Sequence, residues 1–178
     1  MNSESEFARA NADEQKEFSA AYATIGELVL LASSLDYQLN KIVIEALHLG
    51  NEPLIEPVVA TLDTSRKLEM LKARNKHIPR AEWRKAVLSY VEKVEKVTSQ
   101  RNIACHSVVV LDDGKSVFFA PAAKKLLSTL YSPRARVDAL RVTIETGQIA
   151  LSQGQTLIKN LEQLNSKLAQ KRQRKDRA

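Results

Sequence analysis

The residues of this chain best able to do chemistry lie together in Arg101-Asn102-Ile103-Ala104-Cys105-His106. Arginine presents a planar fork of donors that matches phosphate oxygens and keeps its charge at any working pH. Histidine exchanges a proton near neutrality, as general acid–base catalysis requires. Together they suit chemistry at a phosphate. Helix geometry limits how they can cooperate: at 3.6 residues per turn, positions five apart point about 140° away from each other. An unbroken helix could not hold one phosphate between them. A bent final turn would bring both side chains to one cleft. A two-fold dimer would do so by joining two copies of the motif.

The elements that must position this segment follow from periodicity. Phe18, Ile25, Ala32, Leu39 and Ala46 recur every seven residues, as do Ala21, Leu28, Leu35, Ile42 and Leu49. This predicts a first helix of about nine turns, ended by Gly50-Asn51. Leu28-Val29-Leu30-Leu31 is apolar all round, so the middle of that helix is expected to be buried on several sides. A short helix is expected within Pro53 to Leu62, then one over about Ser65 to Lys76, capped by Asp63 or Thr64, with Leu68, Met70 and Leu71 inward. A third major helix, about Arg80 to Ala104, has Trp83, Val87, Tyr90, Val94 and Val97 as its inward stripe. Next, two β-branched runs flank Asp112-Asp113-Gly114-Lys115, the signature of a hairpin over residues 107–119. That hairpin forces the preceding helix to end within the Arg101–His106 segment. Ser132-Pro133 opens the last long helix, whose stripes include Val137, Ile144, Leu151 and Ile158 on one line and Leu140, Gly147, Gly154, Leu161 and Leu168 on another. Each glycine costs about 1 kcal/mol against alanine there; either another backbone approaches closely or both are merely tolerated.

Composition agrees. Apolar residues make up 44%, aromatics 5%, and there are five Gly and five Pro, which favours helix over sheet. The expected fold is all-α: an antiparallel bundle of four to five helices over residues 17–170 with one small hairpin insertion. Residues 1–16 read as a flexible arm and 171–178 as a basic tail. The net charge of +6 is concentrated in that tail, which carries +4, leaving the body near balance at +2. Such a tail is ordinarily a solvated end, though it can add salt-sensitive attraction to RNA. The body lacks the basic stripe and interleaved aromatics of a dedicated RNA-binding protein. The single cysteine excludes an internal disulfide and any paired-cysteine zinc site. No stretch is expected to reach membrane-spanning length, and a soluble, cytoplasmic protein without cofactor or metal is the expectation.

The segment Arg101-Asn102-Ile103-Ala104-Cys105-His106-Ser107 at a helix end resembles the Arg-(four to six residues)-His motif of HEPN-domain ribonucleases, with cysteine where alanine is usual. Leu35-Asp36-Tyr37-Gln38-Leu39-Asn40 looks like part of the first helix of small HEPN families, so the resemblance extends over most of residues 20–165. It implies a helical bundle, a homodimer with a composite cleft, and metal-independent endoribonuclease activity. The ribose 2′-hydroxyl would attack the adjacent phosphate and leave a 2′,3′-cyclic phosphate. Arg101 would hold the phosphate, His106 exchange the proton, and Asn102 position the phosphate or orient His106. The resemblance further implies RNA as substrate, a toxin or antiphage role, and an antitoxin or nucleotidyltransferase as partner.

Plainer roles stand beside these. His106 could cap the last carbonyls of its helix, and Arg101 could pair with Asp36 or Glu95. Asp36, Tyr37 and Ser107 are candidates to support the motif, but Asp36, Tyr37 and Asn40 equally suit core polar needs. Cys105 is expected to be a small buried residue rather than a nucleophile paired with its neighbour. His48 and His77 have no ligand-like partners in sequence. The alternative function is a noncatalytic helical adaptor that binds a protein partner or nucleotide.

Overall fold

The heptad-patterned segment forms α1, Ser3–Ala46, in a computed structural model that describes residues 3–50, 52, 54–78, 80–112, 114–119 and 136–176. The helix begins well before the apolar period, so the segment read as an arm is helical from Ser3 onward. Ala8, Ala10, Ala12, Glu14, Gln15 and Lys16 are strong helix formers and need no apolar stripe to continue the spiral. At the other end the stop comes earlier than Gly50-Asn51. The N–H of His48 bonds to the carbonyl of Glu45 (3.2 Å) and that of Leu49 to the carbonyl of Ile44 (3.0 Å). With His48 at φ 58°, this is a Schellman ending in which histidine fills the left-handed place usually given to glycine.

After α1 come α2, Ile55–Ala60, and α3, Thr64–Asn75. Of the two candidate caps for α3, Asp63 is the one used: its Oδ1 accepts from the N–H of Arg66 at 2.9 Å. The fourth helix, α4, spans Ala81–Cys105 and runs into the hairpin, β1 Val108–Asp112 and β2 Lys115–Phe119. The strands are antiparallel, with Val110 opposite Val117 and Asp112 opposite Lys115. Gly114 takes the φ of 70° that the tight loop requires. A 3-10 turn at Val137–Ala139 leads into α5, Leu140–Asp176. The expected cap at Ser132-Pro133 lies outside the described residues, and most of the basic tail is the last turn of α5. The described residues thus form an all-α bundle of five helices with one small hairpin.

The chain divides into two compact units, and α1, α4 and α5 each contribute to both. The first unit holds residues 1–31 and 97–145. Its core includes Ala21, Leu28 and Leu31 of α1, Val97 and Ala104 of α4, Val117 of β2, and Leu140 and Ile144 of α5. The hairpin is fastened to α1 within this unit, where the N–H of Ser116 donates to Glu17 Oε1 at 3.1 Å. The all-round burial expected for Leu28 to Leu31 does not occur: Leu28 and Leu31 are buried, but Leu30 is 71% exposed. One face of the helix suffices for that core.

The second unit, residues 32–96 and 146–178, buries Leu35, Leu39 and Ile42 of α1 with Val59 of α2, Leu68 and Leu71 of α3, Tyr90 and Val94 of α4, and Leu157 and Leu161 of α5. Trp83, expected inward, is half-buried. Gly154 has a clear purpose here, since a β-carbon at that position would collide with the Gln38 side chain. Gln38 donates from Nε2 to the carbonyl of Leu151 (2.8 Å) and accepts at Oε1 from the Tyr90 hydroxyl (3.2 Å). The close approach is therefore by a side chain rather than a second backbone. Burial first, and the Asp36 carboxylate second, push the Tyr90 hydroxyl well above its ordinary range, so it stays a donor at working pH.

One stretch does reach the length and hydropathy of a membrane span: an 18-residue window within Asn11–Ala46 has mean hydropathy 1.4. The same helix places Leu28, Leu35, Leu39 and Ile42 in protein cores and carries the ion-paired Asp36. A core helix of a soluble protein meets the same test, and these contacts are compatible with one.

Candidate active site

The motif sits where α4 ends. Asn102 opens the last turn of the helix, Arg101 lies just before that turn, and His106 is the first residue past the helix. The N–H of His106 still bonds back to the carbonyls of Asn102 (3.1 Å) and Ile103 (3.3 Å). Helical winding therefore persists through the backbone nitrogen of His106, and the chain turns away only at Ser107. The bend that would aim both side chains at one cleft within a single chain does not precede His106.

Asn102 and His106 are exposed and Arg101 is half-buried, so the segment is accessible to solvent. Arg101 Nη1 donates to Asn102 Oδ1 at 3.1 Å. The Asn102 side chain therefore contacts the guanidinium. Ala104 is the buried residue of the segment, whereas Cys105 is exposed. The buried role expected for Cys105 is corrected: the core-facing line of α4 runs through Val97 and Ala104, seven apart, and Cys105 lies about 100° round from it.

The carboxylates considered as partners for Arg101 are engaged by lysines. Asp36 Oδ2 accepts from Lys67 Nζ at 2.8 Å and its Oδ1 from the Thr64 hydroxyl at 2.7 Å. Glu95 pairs with Lys72 at 2.5 Å. Asp36 thereby ties α1 to the start of α3 within the second unit, a structural task. Tyr37 is exposed with the Lys41 ammonium 5.3 Å from its ring centre. Asn40 is buried. Ser107 is half-buried next to His106 in the chain.

Lys67 escaped the sequence reading altogether. Its residue is 0% exposed, and its flanking pattern, Arg66-Lys67-Leu68-Glu69, looks like an ordinary solvated turn. Only the companion carboxylate one helix away makes its burial tolerable, and nothing local announces that pairing. Among the described residues no group of three or more His, Cys, Asp or Glu side chains converges to hold a metal ion.

No protein-family model, curated protein or solved structure matches the chain.

Proposed function

We propose that this chain is a metal-independent endoribonuclease of HEPN type that works as a homodimer. The observation that carries the reading is the Arg-Asn-(three residues)-His segment, accessible to solvent at the end of a long helix in an all-α bundle. In the proposed reaction the ribose 2′-oxygen bonds to phosphorus as the bond to the 5′-oxygen breaks. His106 accepts the hydroxyl proton, and the second copy of His106, or water, returns a proton to the departing oxygen. Arg101, steered by Asn102, holds the phosphate and stabilises the charge gathering on its oxygens. The products carry a 2′,3′-cyclic phosphate and a 5′-hydroxyl. A toxin or antiphage role, with an antitoxin or nucleotidyltransferase as partner, belongs to this same reading.

Dimerisation is supported by winding that continues to His106 and by apolar surface beside the motif. Ile103, inside the segment, is 42% exposed and Val108, two residues beyond it, is 51% exposed, and covering them would remove apolar area from water. The same two residues would serve the second reading, a noncatalytic adaptor that presents this surface to another protein. Incubating the purified chain with total RNA in excess chelator separates the two. The ribonuclease reading requires fragments ending in 2′,3′-cyclic phosphate. Intact RNA under every buffer tried would favour the adaptor.

A further inference from the structure

The second unit contains a cavity of about 500 Å³, and none of the residues lining it belongs to the Arg101–His106 motif. Its walls come from the end of α1, the stretch from the last turn of α3 to the first turn of α4, and residues 160–168 of α5. Arg74, Arg80 and Lys167 bring permanent positive charge to it, and His48 and His77 bring ionisable rings. Among the described residues that line it there is no carboxylate. Glu45 and Glu162 line an adjoining recess that shares His48 and Leu168 with the cavity. A second groove shares Arg80 and Lys167 with the cavity and adds Lys171 and Arg174, again without an acid. Positive potential therefore extends along one side of α5.

Several of these groups are held in place. Arg74 Nε donates to the carbonyl of Ala46 at 2.9 Å, and its Nη2 lies 3.2 Å from His48 Nε2. His48 occupies the left-handed turn of the α1 ending, where a β-carbon costs about 1–2 kcal/mol; a glycine there would leave no side chain on the cavity. The Arg80 guanidinium lies over the Trp83 ring, 5.6 Å from its centre. The apolar part of the lining includes Ile78, Leu161, Leu164 and Leu168 beside the flat Trp83 ring.

These features select a ligand. Ligand pockets typically enclose about 300–1,000 Å³ and combine an apolar lining with a few fixed polar groups, and this cavity has both. Three permanent cations exceed what one carboxylate neutralises, whereas a phosphate monoester brings about −1.5 to −2 near neutral pH. Arginine forks also match phosphate oxygens directly. We propose that this cavity binds a small organic phosphate, with the phosphate group on Arg74, Arg80 and Lys167 and a planar body against Trp83 and the apolar lining. The site is independent of the ribonuclease reading.

Trp83 is the only tryptophan, so its emission reports on the cavity alone. The full chain is titrated with adenosine monophosphate and, in parallel, with adenosine, inorganic phosphate, indole-3-acetate and a short RNA oligonucleotide, each followed by Trp83 fluorescence and calorimetry. Adenosine monophosphate should change the emission saturably. Adenosine, inorganic phosphate and indole-3-acetate should each bind at least about tenfold more weakly, and Arg80→Gln and Lys167→Gln should each weaken the monophosphate by about tenfold, the loss expected for one charge-assisted contact. Both side chains are exposed, so unchanged helicity is expected in either variant. The proposal is overturned if the monophosphate gives no saturable change, if any of the three small controls binds as tightly, or if both variants bind it like wild type. Binding of the oligonucleotide with the monophosphate inert would mark a nucleic-acid surface and overturn it equally.

Discussion

At the scale of single residues, the division of labour in the motif leads to a kinetic test. If His106 moves the proton and Arg101 holds the phosphate, His106→Ala and Arg101→Ala should each slow RNA cleavage by about 10²–10⁴-fold, the usual loss for a positioned acid–base group. Arg101→Lys should fail comparably, because a point charge cannot reproduce a bidentate grip. The double variant should be little worse than either single one, since both groups act in one transition state. Cleavage rates are measured on variants whose circular dichroism is unchanged; wild-type rates in both alanine variants would sink the assignment. A second residue-scale test concerns Asp63. The Ser65 hydroxyl, then the Arg66 N–H, hold its carboxyl below the ordinary 3.8. A depressed folded value contributes stability that is fully present above about pH 4 and disappears as pH falls through the lower folded value. Asp63→Ala should therefore melt below wild type at neutral pH, with the gap closing in acid. A gap that stays constant down to strong acid would show that charge plays no part in this cap.

At the scale of elements, α1 and α5 meet in the second unit through Gln38 and Gly154. Adding a methyl at Gly154 must displace Gln38 and with it the hydrogen bonds to Leu151 and Tyr90. Overpacking costs about 1–3 kcal/mol and each lost bond about 1, against a helix-propensity gain of about 1. Gly154→Ala should thus destabilise the protein by about 2–4 kcal/mol in urea unfolding. On a Gln38→Ala background the obstacle is gone, and the same substitution should turn neutral or stabilise by up to about 1 kcal/mol. Equal effects in the two backgrounds would mean that the pair does not meet. The sequence marked the glycine as either a point of close approach or merely tolerated, and the side chain that meets it was not legible at all. A stripe of seven-residue repeats says which face is buried and nothing about which side chain arrives there.

At the scale of the whole molecule, the proposed dimer has its own signature. Light scattering at micromolar concentration should give twice the chain mass. Mixing inactive Arg101→Ala with inactive His106→Ala should restore cleavage, because a mixed dimer rebuilds one composite site from the arginine of one copy and the histidine of the other. A monomer would exclude a shared site, and a mixture that stays inactive while the wild-type dimer cleaves would exclude a site that needs only one arginine and one histidine.

Local chemistry explains what the sequence determined by itself. Seven-residue apolar spacing set the faces of α1 and α5, Asp63 the start of α3, and Asp-Gly between β-branched runs the hairpin. These signals act within a few residues of where they are written. The end of α1 at His48 instead of Gly50, the exposure of Leu30 and Cys105, and the burial of Lys67 were decided by tertiary structure. In the same way His48, Arg74, Arg80, Trp83 and Lys167 come to line one cavity only when α1, α3, α4 and α5 are assembled. A charge becomes tolerable in a core, or useful in a cavity, through neighbours that lie distant in the chain. The Arg101–His106 segment stands between the two cases: its residues and their helix end were legible, while the continuation of winding to His106 depended on where the hairpin draws the chain away.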